Sequence, residues 1–194
     1  MTDVPPADAL VVVDVQCAFV FGPHAVPHAR RLLAGLDVLL ARARAAHALV
    51  VHLQNDGRQG APDGSGTVGW ELAIAPQDSE VVLRKHSDSG FAGTALEDLL
   101  RRRKAACLAI AGVQSEMCVA ATAREALARG FTVVLPHDAH ATYPIPEQTG
   151  FGPAVPADHV SRVAEWSLGD EVFLARGAAD VRFRRSSPSR SGDL

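Results

Sequence analysis

Three side chains in this sequence stand where an acid, a primary amine and a thiol can meet. Asp14 closes the apolar run Ala9-Leu10-Val11-Val12-Val13, Lys85 closes Val81-Val82-Leu83-Arg84, and Cys118 sits in Gly112-Val113-Gln114-Ser115-Glu116-Met117-Cys118-Val119. A carboxylate at the end of an apolar strand is costly unless it is paired or hydrogen-bonded. Asp14 is therefore either a cap for the following loop or the partner of a cation, and Lys85 can be that cation. Lys85 and Lys104 are the only lysines in a chain whose other basic side chains are Arg. Lys104 ends the run Arg101-Arg102-Arg103 at a helix end, where any cation complements the dipole. The place of Lys85 suits a compact ammonium with a tunable pKa. Cys118 falls in the first turn of a helix, where the dipole and a nearby ammonium favour thiolate. The same turn can aim backbone N–H groups at a developing oxyanion. Cys107, inside a strand pattern, reads as a small buried hydrophobe, and Cys17, past Asp14, reads either way. A thiol beside an acid and an amine is the equipment for nucleophilic attack on a carbonyl.

The elements that must position these groups alternate between strand and helix patterns. Ala9–Val15, Leu49–Leu53, Val81–Lys85, Cys107–Val113, Thr132–Leu135 and Glu171–Ala175 read as strands. Helices are expected over Ala29–Ala46, from the Thr94-Ala95-Leu96-Glu97 capping box to about Arg103, from a Ser115 cap to Arg129-Gly130, and over Pro156–Leu168. This βαβ grammar with near-continuous apolar strands predicts a three-layer α/β/α sandwich around a parallel sheet. Ligands bind beyond the carboxyl ends of such strands, which is where Asp14, Lys85 and Cys118 fall. His137 and Asp138 follow the fifth strand and are explained equally well by structure or by function. Residues 1–176 are expected to form a single domain, and residues 177–194, rich in Arg and Ser, a polar disordered tail.

Asp14-Val15-Gln16 after a first apolar strand, Lys85 followed by Ser89-Gly90-Phe91-Ala92-Gly93-Thr94-Ala95-Leu96, and Gly112-Val113 to Cys118-Val119-Ala120-Ala121-Thr122-Ala123-Arg124 together resemble the isochorismatase-like cysteine hydrolases. The resemblance runs from about Ala9 to Ala175 and rests on the order and spacing of these motifs. It implies a six-stranded parallel sheet in the order 3-2-1-4-5-6, a cis peptide before Gln114, and Asp14, Lys85 and Cys118 as a catalytic triad. The N–H groups of Gln114 and Cys118 would form the oxyanion hole. The implied reaction is hydrolysis of an amide, ureide or lactam C–N bond of a small molecule through a thioester, with no cofactor. Members that cleave a vinyl ether have Gly in place of this cysteine, so the thiol argues for amide-type bonds. The nicotinamidases hold a metal through an Asp-x-His segment and a further His after the second strand. Here that region reads His52-Leu53-Gln54-Asn55-Asp56-Gly57, so no catalytic metal is expected. The resemblance also implies a homodimer or higher homo-oligomer.

Gln16, Phe19, Trp70, Phe91 and Tyr143 are candidates for the substrate pocket. Trp70 and Phe91 either line it or pack a loop or an oligomer contact. Tyr143 and Phe151 lie on the long loop after the fifth strand, either a lid or a surface connection. The net charge of -3 is spread along the chain, leaving no basic face for nucleic acid. No apolar run approaches the roughly 20 residues of a membrane span, and the N-terminal residues lack signal-peptide features. Three cysteines without metal-type pairing suit a reducing compartment, so the expected location is cytoplasmic. Two other readings use the same cleft: a non-catalytic domain that binds a small molecule or a protein, and a thiol redox sensor at Cys118.

Overall fold

The structure is a computed structural model, and it describes residues 3–185. Strand β1 (Ala9–Val13) is buried at every position, as expected of a strand covered on both sides. It lies between β2 (Leu49–Asn55) and β4 (Cys107–Val113), with β3 (Val81–Lys85) beyond β2 and β5 (Thr132–Pro136) beyond β4. A short β6 (His140–Ala141) pairs with the end of β4, and β7 (Val172–Ala175) pairs with β5. All these pairings are parallel, and the order β3-β2-β1-β4-β5-β7 is the expected one, with β7 as the sixth strand of the sequence reading. β6 is an addition that two residues could not announce.

The helices are α1 (Cys17–Val20), α2 (Ala29–Ala45), α3 (Leu96–Arg102), α4 (Ala120–Ala128) and α5 (Ala157–Ser167). The period-2 alternation of the strands divides the core into two layers. Leu10, Val12, Ala109 and Ala111 face Leu32, Leu36, Leu39 and Ala43 of α2. Val11, Val13, Leu108 and Ile110 face Leu96 and Leu100 of α3 and Ala120, Ala123 and Ala126 of α4. Gly130 follows α4 with φ +80°, the left-handed residue expected past that helix. Among the described residues no helix is long and apolar enough to cross a membrane.

Three local expectations are corrected. Thr94 does not close a capping box: Ala95 is the N-cap of α3, and Thr94 Oγ1 accepts from Leu96 N–H while donating to the Gly90 carbonyl. Ser115 does not cap its helix, because its hydroxyl is taken by His140 and Ser161, and the chain enters α4 through one π turn over Ser115–Val119. Nor does the polar tail start at residue 177. Ala178 and Val181 are buried against the α2 side of the sheet. Arg182 and Arg184 exchange backbone hydrogen bonds with Ala7, and the Asp138 carboxylate accepts from Ala178 N–H at 2.7 Å. Arginines interrupt the apolar residues there, yet their backbone pairs with Ala7, just before β1. Residues 186–194 of the expected tail lie outside the described residues.

The outer strand β3 is tied to α2 by one carboxylate. Glu80 accepts from Arg44 at 2.7 and 3.1 Å, from His52 Nε2 at 2.9 Å and from Gln77 N–H at 3.0 Å. Burial opposes ionisation of Glu80, but these donors outweigh it and bring its pKa down to about 2. The folded value lies below the unfolded one, so this stabilisation is complete above the ordinary carboxylate range and is lost as pH falls toward 2. Glu80→Gln should lower stability at neutral pH by about 2 kcal/mol or more in urea unfolding, since it leaves Arg44 and His52 with one weak acceptor. An unchanged midpoint would contradict the tie.

Candidate active site

The site is built at the carboxyl edge of β1, β3 and β4. Asp14 follows β1 with φ +51°, a left-handed conformation uncommon for a residue with a side chain. Its N–H still donates to the Leu53 carbonyl of β2, so the turn away from the sheet occurs at this residue. β4 passes close by: a Cβ at Gly112, whose φ is +131°, would stand 2.0 Å from the Val13 carbonyl oxygen. Only glycine allows that approach. The next peptide, Val113–Gln114, is cis, as the resemblance implied, and the π turn that follows presents Cys118.

These placements bring the three predicted groups together. Lys85 Nζ lies 2.7 Å from Asp14 Oδ2 and 3.4 Å from Cys118 Sγ, and it donates to the Ser87 carbonyl at 2.9 Å. Both charged side chains are almost wholly buried, while Cys118 keeps partial exposure. The second Asp14 oxygen, Oδ1, is buried without a hydrogen-bond partner, and the Cys118 thiol is close enough to favour the Asp14 carboxylate. Burial is the main force on Asp14 and raises its pKa to about 6, against the pull of Lys85. Burial would pull Lys85 down, but the Asp14 charge and the hydrogen bonds to Asp14 and the Cys118 sulfur prevail and hold it above its ordinary value.

Cys118 is the correction. The sequence reading expected the dipole and the ammonium to favour thiolate, but burial and the neighbouring Asp14 charge push its pKa up to about 12, with Lys85 opposing. The resting centre is carboxylate, ammonium and thiol. Burial also pushes Cys107 up, to about 11, in keeping with a buried hydrophobe.

The predicted pocket residues fare unevenly. Gln16 does not face a ligand: it is completely buried, its amide donating to the Asn55 and Trp70 carbonyls at 3.0 and 2.9 Å and accepting from Asn55 N–H. Phe91 belongs to the core, where its ring stacks on Phe131 at 6.0 Å and under the Arg129 guanidinium. Phe19 packs, partly buried, against the α2 side of the sheet. Trp70 is half-buried beside this edge, its indole donating to Asp56 and its face covered by Arg84. Tyr143 donates to the His24 carbonyl, fastening the long loop after β6 to the loop after α1. Asp63, not singled out from sequence, adds negative charge felt by both Asp14 and Tyr143. Asp88 was also missed: its Oδ1 is 3.9 Å from the thiol. It lies in the Lys85–Gly90 segment after β3, so the strand-end rule held the signal for it. His52 is engaged by Glu80, and Asp56 by Arg84 and Trp70, so neither belongs to the Asp14 group.

Fold and site together define an α/β protein of the doubly wound kind with a buried Asp–Lys pair against a cysteine at its strand edge. The isochorismatase domain model matches residues 8–151, a span that contains all three groups, and the chain belongs to that family. It is 59% identical over 180 residues to a streptothricin hydrolase of Streptomyces noursei, covering 92% of this chain and 71% of the relative. A second streptothricin hydrolase of that organism is 58% identical over 177 residues, 90% of this chain and 64% of the relative. The crystal structure of a cysteine hydrolase from Pseudomonas syringae pv. phaseolicola 1448A superposes with a TM-score of 0.81 at 26% identity, covering 93% of each chain. The chain is thus a hydrolase of the class acting on non-peptide carbon–nitrogen bonds.

With its proton held on sulfur, Cys118 should give no thiolate absorbance at neutral pH. A difference titration in the ultraviolet between wild type and Cys118→Ser should show that signal only in the alkaline range. A thiolate titrating near or below pH 7 would overturn this electrostatic account.

Proposed function

We propose that this chain hydrolyses the C–N bond of a small amide or lactam by covalent catalysis, with Cys118 as nucleophile, Asp14 as general base and acid, and Lys85 as the fixed cation between them. The observation that carries the reading is the single ammonium at 2.7 Å from Asp14 and 3.4 Å from the thiol, with Asp14 Oδ1 left unpaired beside them. A carboxylate with a pKa of about 6 is deprotonated at neutral pH yet basic enough to accept a proton in a transition state.

The steps follow from these positions. As Sγ attacks the carbonyl carbon, its proton passes to Asp14, so a thiol of high pKa becomes a nucleophile only when the electrophile is present. The N–H groups of Gln114 and Cys118 would hold the oxyanion. On collapse the C–N bond breaks, the nitrogen takes the proton back from Asp14, and a thioester to Cys118 remains. Asp14 then deprotonates a water that attacks the thioester, releasing the carboxylic acid and restoring the thiol. Lys85 keeps its proton throughout.

The likeness to two streptothricin hydrolases supports a streptothricin lactam as the first substrate to assay. Purified protein should open it with a kcat/KM that falls as pH drops below about 6, because protonated Asp14 cannot act as base. Cys118→Ala should abolish turnover, and Asp14→Asn should lower kcat by about 100-fold or more. An acid limb that survives in Asp14→Asn, or full activity in Cys118→Ala, would sink the mechanism. Loss of streptothricin turnover alone, with another amide or lactam accepted, would change the substrate and leave the chemistry standing.

A further inference from the structure

A second group of polar side chains lies at the edge of β5 and β7, apart from the Asp14 pair. Among the described residues, His137, His140 and Glu165 hold three ligand-type atoms within 4.8 Å of one another. Glu165 Oε1 is 2.5 Å from His137 Nδ1 and 3.1 Å from His140 Nε2. His140 and Glu165 are buried on β6 and α5, and His137 is half exposed after β5. A cavity of about 280 Å³ opens beside them, lined by His137, Glu165, Arg162, Leu174, Ala175 and Arg176.

We infer that His137, His140 and Glu165 form a binding site for a divalent ion of the zinc class, with its remaining coordination position open to this cavity. Two imidazoles and a carboxylate are one of the donor sets that hold zinc where a position is left free. With bonds of about 2.0 Å, tetrahedral ligands stand about 3.3 Å apart. The His140–Glu165 spacing already meets this, the His137–Glu165 spacing has to open by about 0.8 Å, and the two histidine nitrogens, within 4.8 Å of each other, have to settle at the same separation, a movement that the exposure of His137 allows.

The surroundings fit as well. Coordination through Nε2 leaves the His140 proton on Nδ1, 2.8 Å from Ser115 Oγ, which accepts it and turns its own proton toward Ser161 Oγ at 3.0 Å. A ligand histidine fixed by a hydrogen bond on its other nitrogen is what metal sites use to set tautomer and ring orientation. Arg162 occupies only the other Glu165 oxygen, at 3.1 Å, and its charge is exposed and screened. Ser115 directly follows Gln114, so the ion would brace the turn that presents Cys118 without touching the reacting groups.

The test is a titration of untagged Cys118→Ser protein with Co2+, read by its visible d–d absorption, followed by displacement with Zn2+. One equivalent should bind, thermal unfolding should shift upward, and His137→Ala in the same background should weaken binding by about tenfold or more. Glu165→Gln, checked for folding by circular dichroism, should do the same. Binding that is absent, or unchanged in His137→Ala, overturns the site. So does binding seen only when Cys118 is present, which would place the ion on the thiol.

Discussion

The buried pair of Asp14 and Lys85 is the constraint on which the rest of this structure depends. Each charge alone at that depth is prohibitive, and removing one member of such a pair generally costs about 3–5 kcal/mol. The surrounding backbone is arranged to hold both. β1 ends in a left-handed residue that turns the carboxylate inward, β3 delivers the ammonium from two strands away, and the Ser87 carbonyl takes one of its protons. Burial and pairing then act on the thiol together. The same Asp14 charge that binds Lys85 keeps the proton on Cys118, so the centre is quiet at rest and has its base in place.

Further polar clusters hold this edge in shape. Gln16, whose amide reaches the Asn55 and Trp70 backbones, locks the loop after β1 to the end of β2 and to the Trp70 segment. Gln54 donates to that same Trp70 carbonyl at 3.0 Å. Ser115, His140 and Glu165 do the corresponding work on the other side, joining the Cys118 turn to β6 and α5. Gln16, a pocket candidate in the sequence, is here spent on fixing the backbone. A catalytic edge gains from that, because small displacements of reacting groups are expensive in rate.

The layered architecture and the Asp14–Lys85–Cys118 convergence were legible because each rests on a local pattern: an apolar strand that ends on a charge, or a strand that turns into a helix. What was not legible depends on which way a side chain faces and how deep it lies. Phe91 follows Lys85 closely, yet its ring turns under α4 toward Phe131. Gln16 and Phe19 follow Asp14 but are absorbed by packing. The Cys118 pKa was misread because spacing reveals the dipole and the cation but not the desolvation, which dominates. The segment from residue 177 looked like solvent-exposed tail because its arginines mask Ala178 and Val181, which pack on the α2 side of the sheet, and because the backbone partner of Arg182 and Arg184, Ala7, lies at the opposite end of the chain. Glu165 and His140 are 25 positions apart, and nothing local marks them as neighbours.

The central claim is that Cys118 bonds covalently to the substrate acyl group, and intact-mass spectrometry of acid-quenched reaction mixtures tests it most directly. With an amide or lactam that turns over, wild-type protein sampled in the steady state should carry an added mass equal to the acyl fragment of an amide, or to the whole ring-opened molecule of a lactam. Digestion should place it on the peptide containing Cys118, and Cys118→Ser should lack the thioester. Turnover with no adduct on any time scale in the wild type, or an adduct that forms equally without Cys118, would contradict the account.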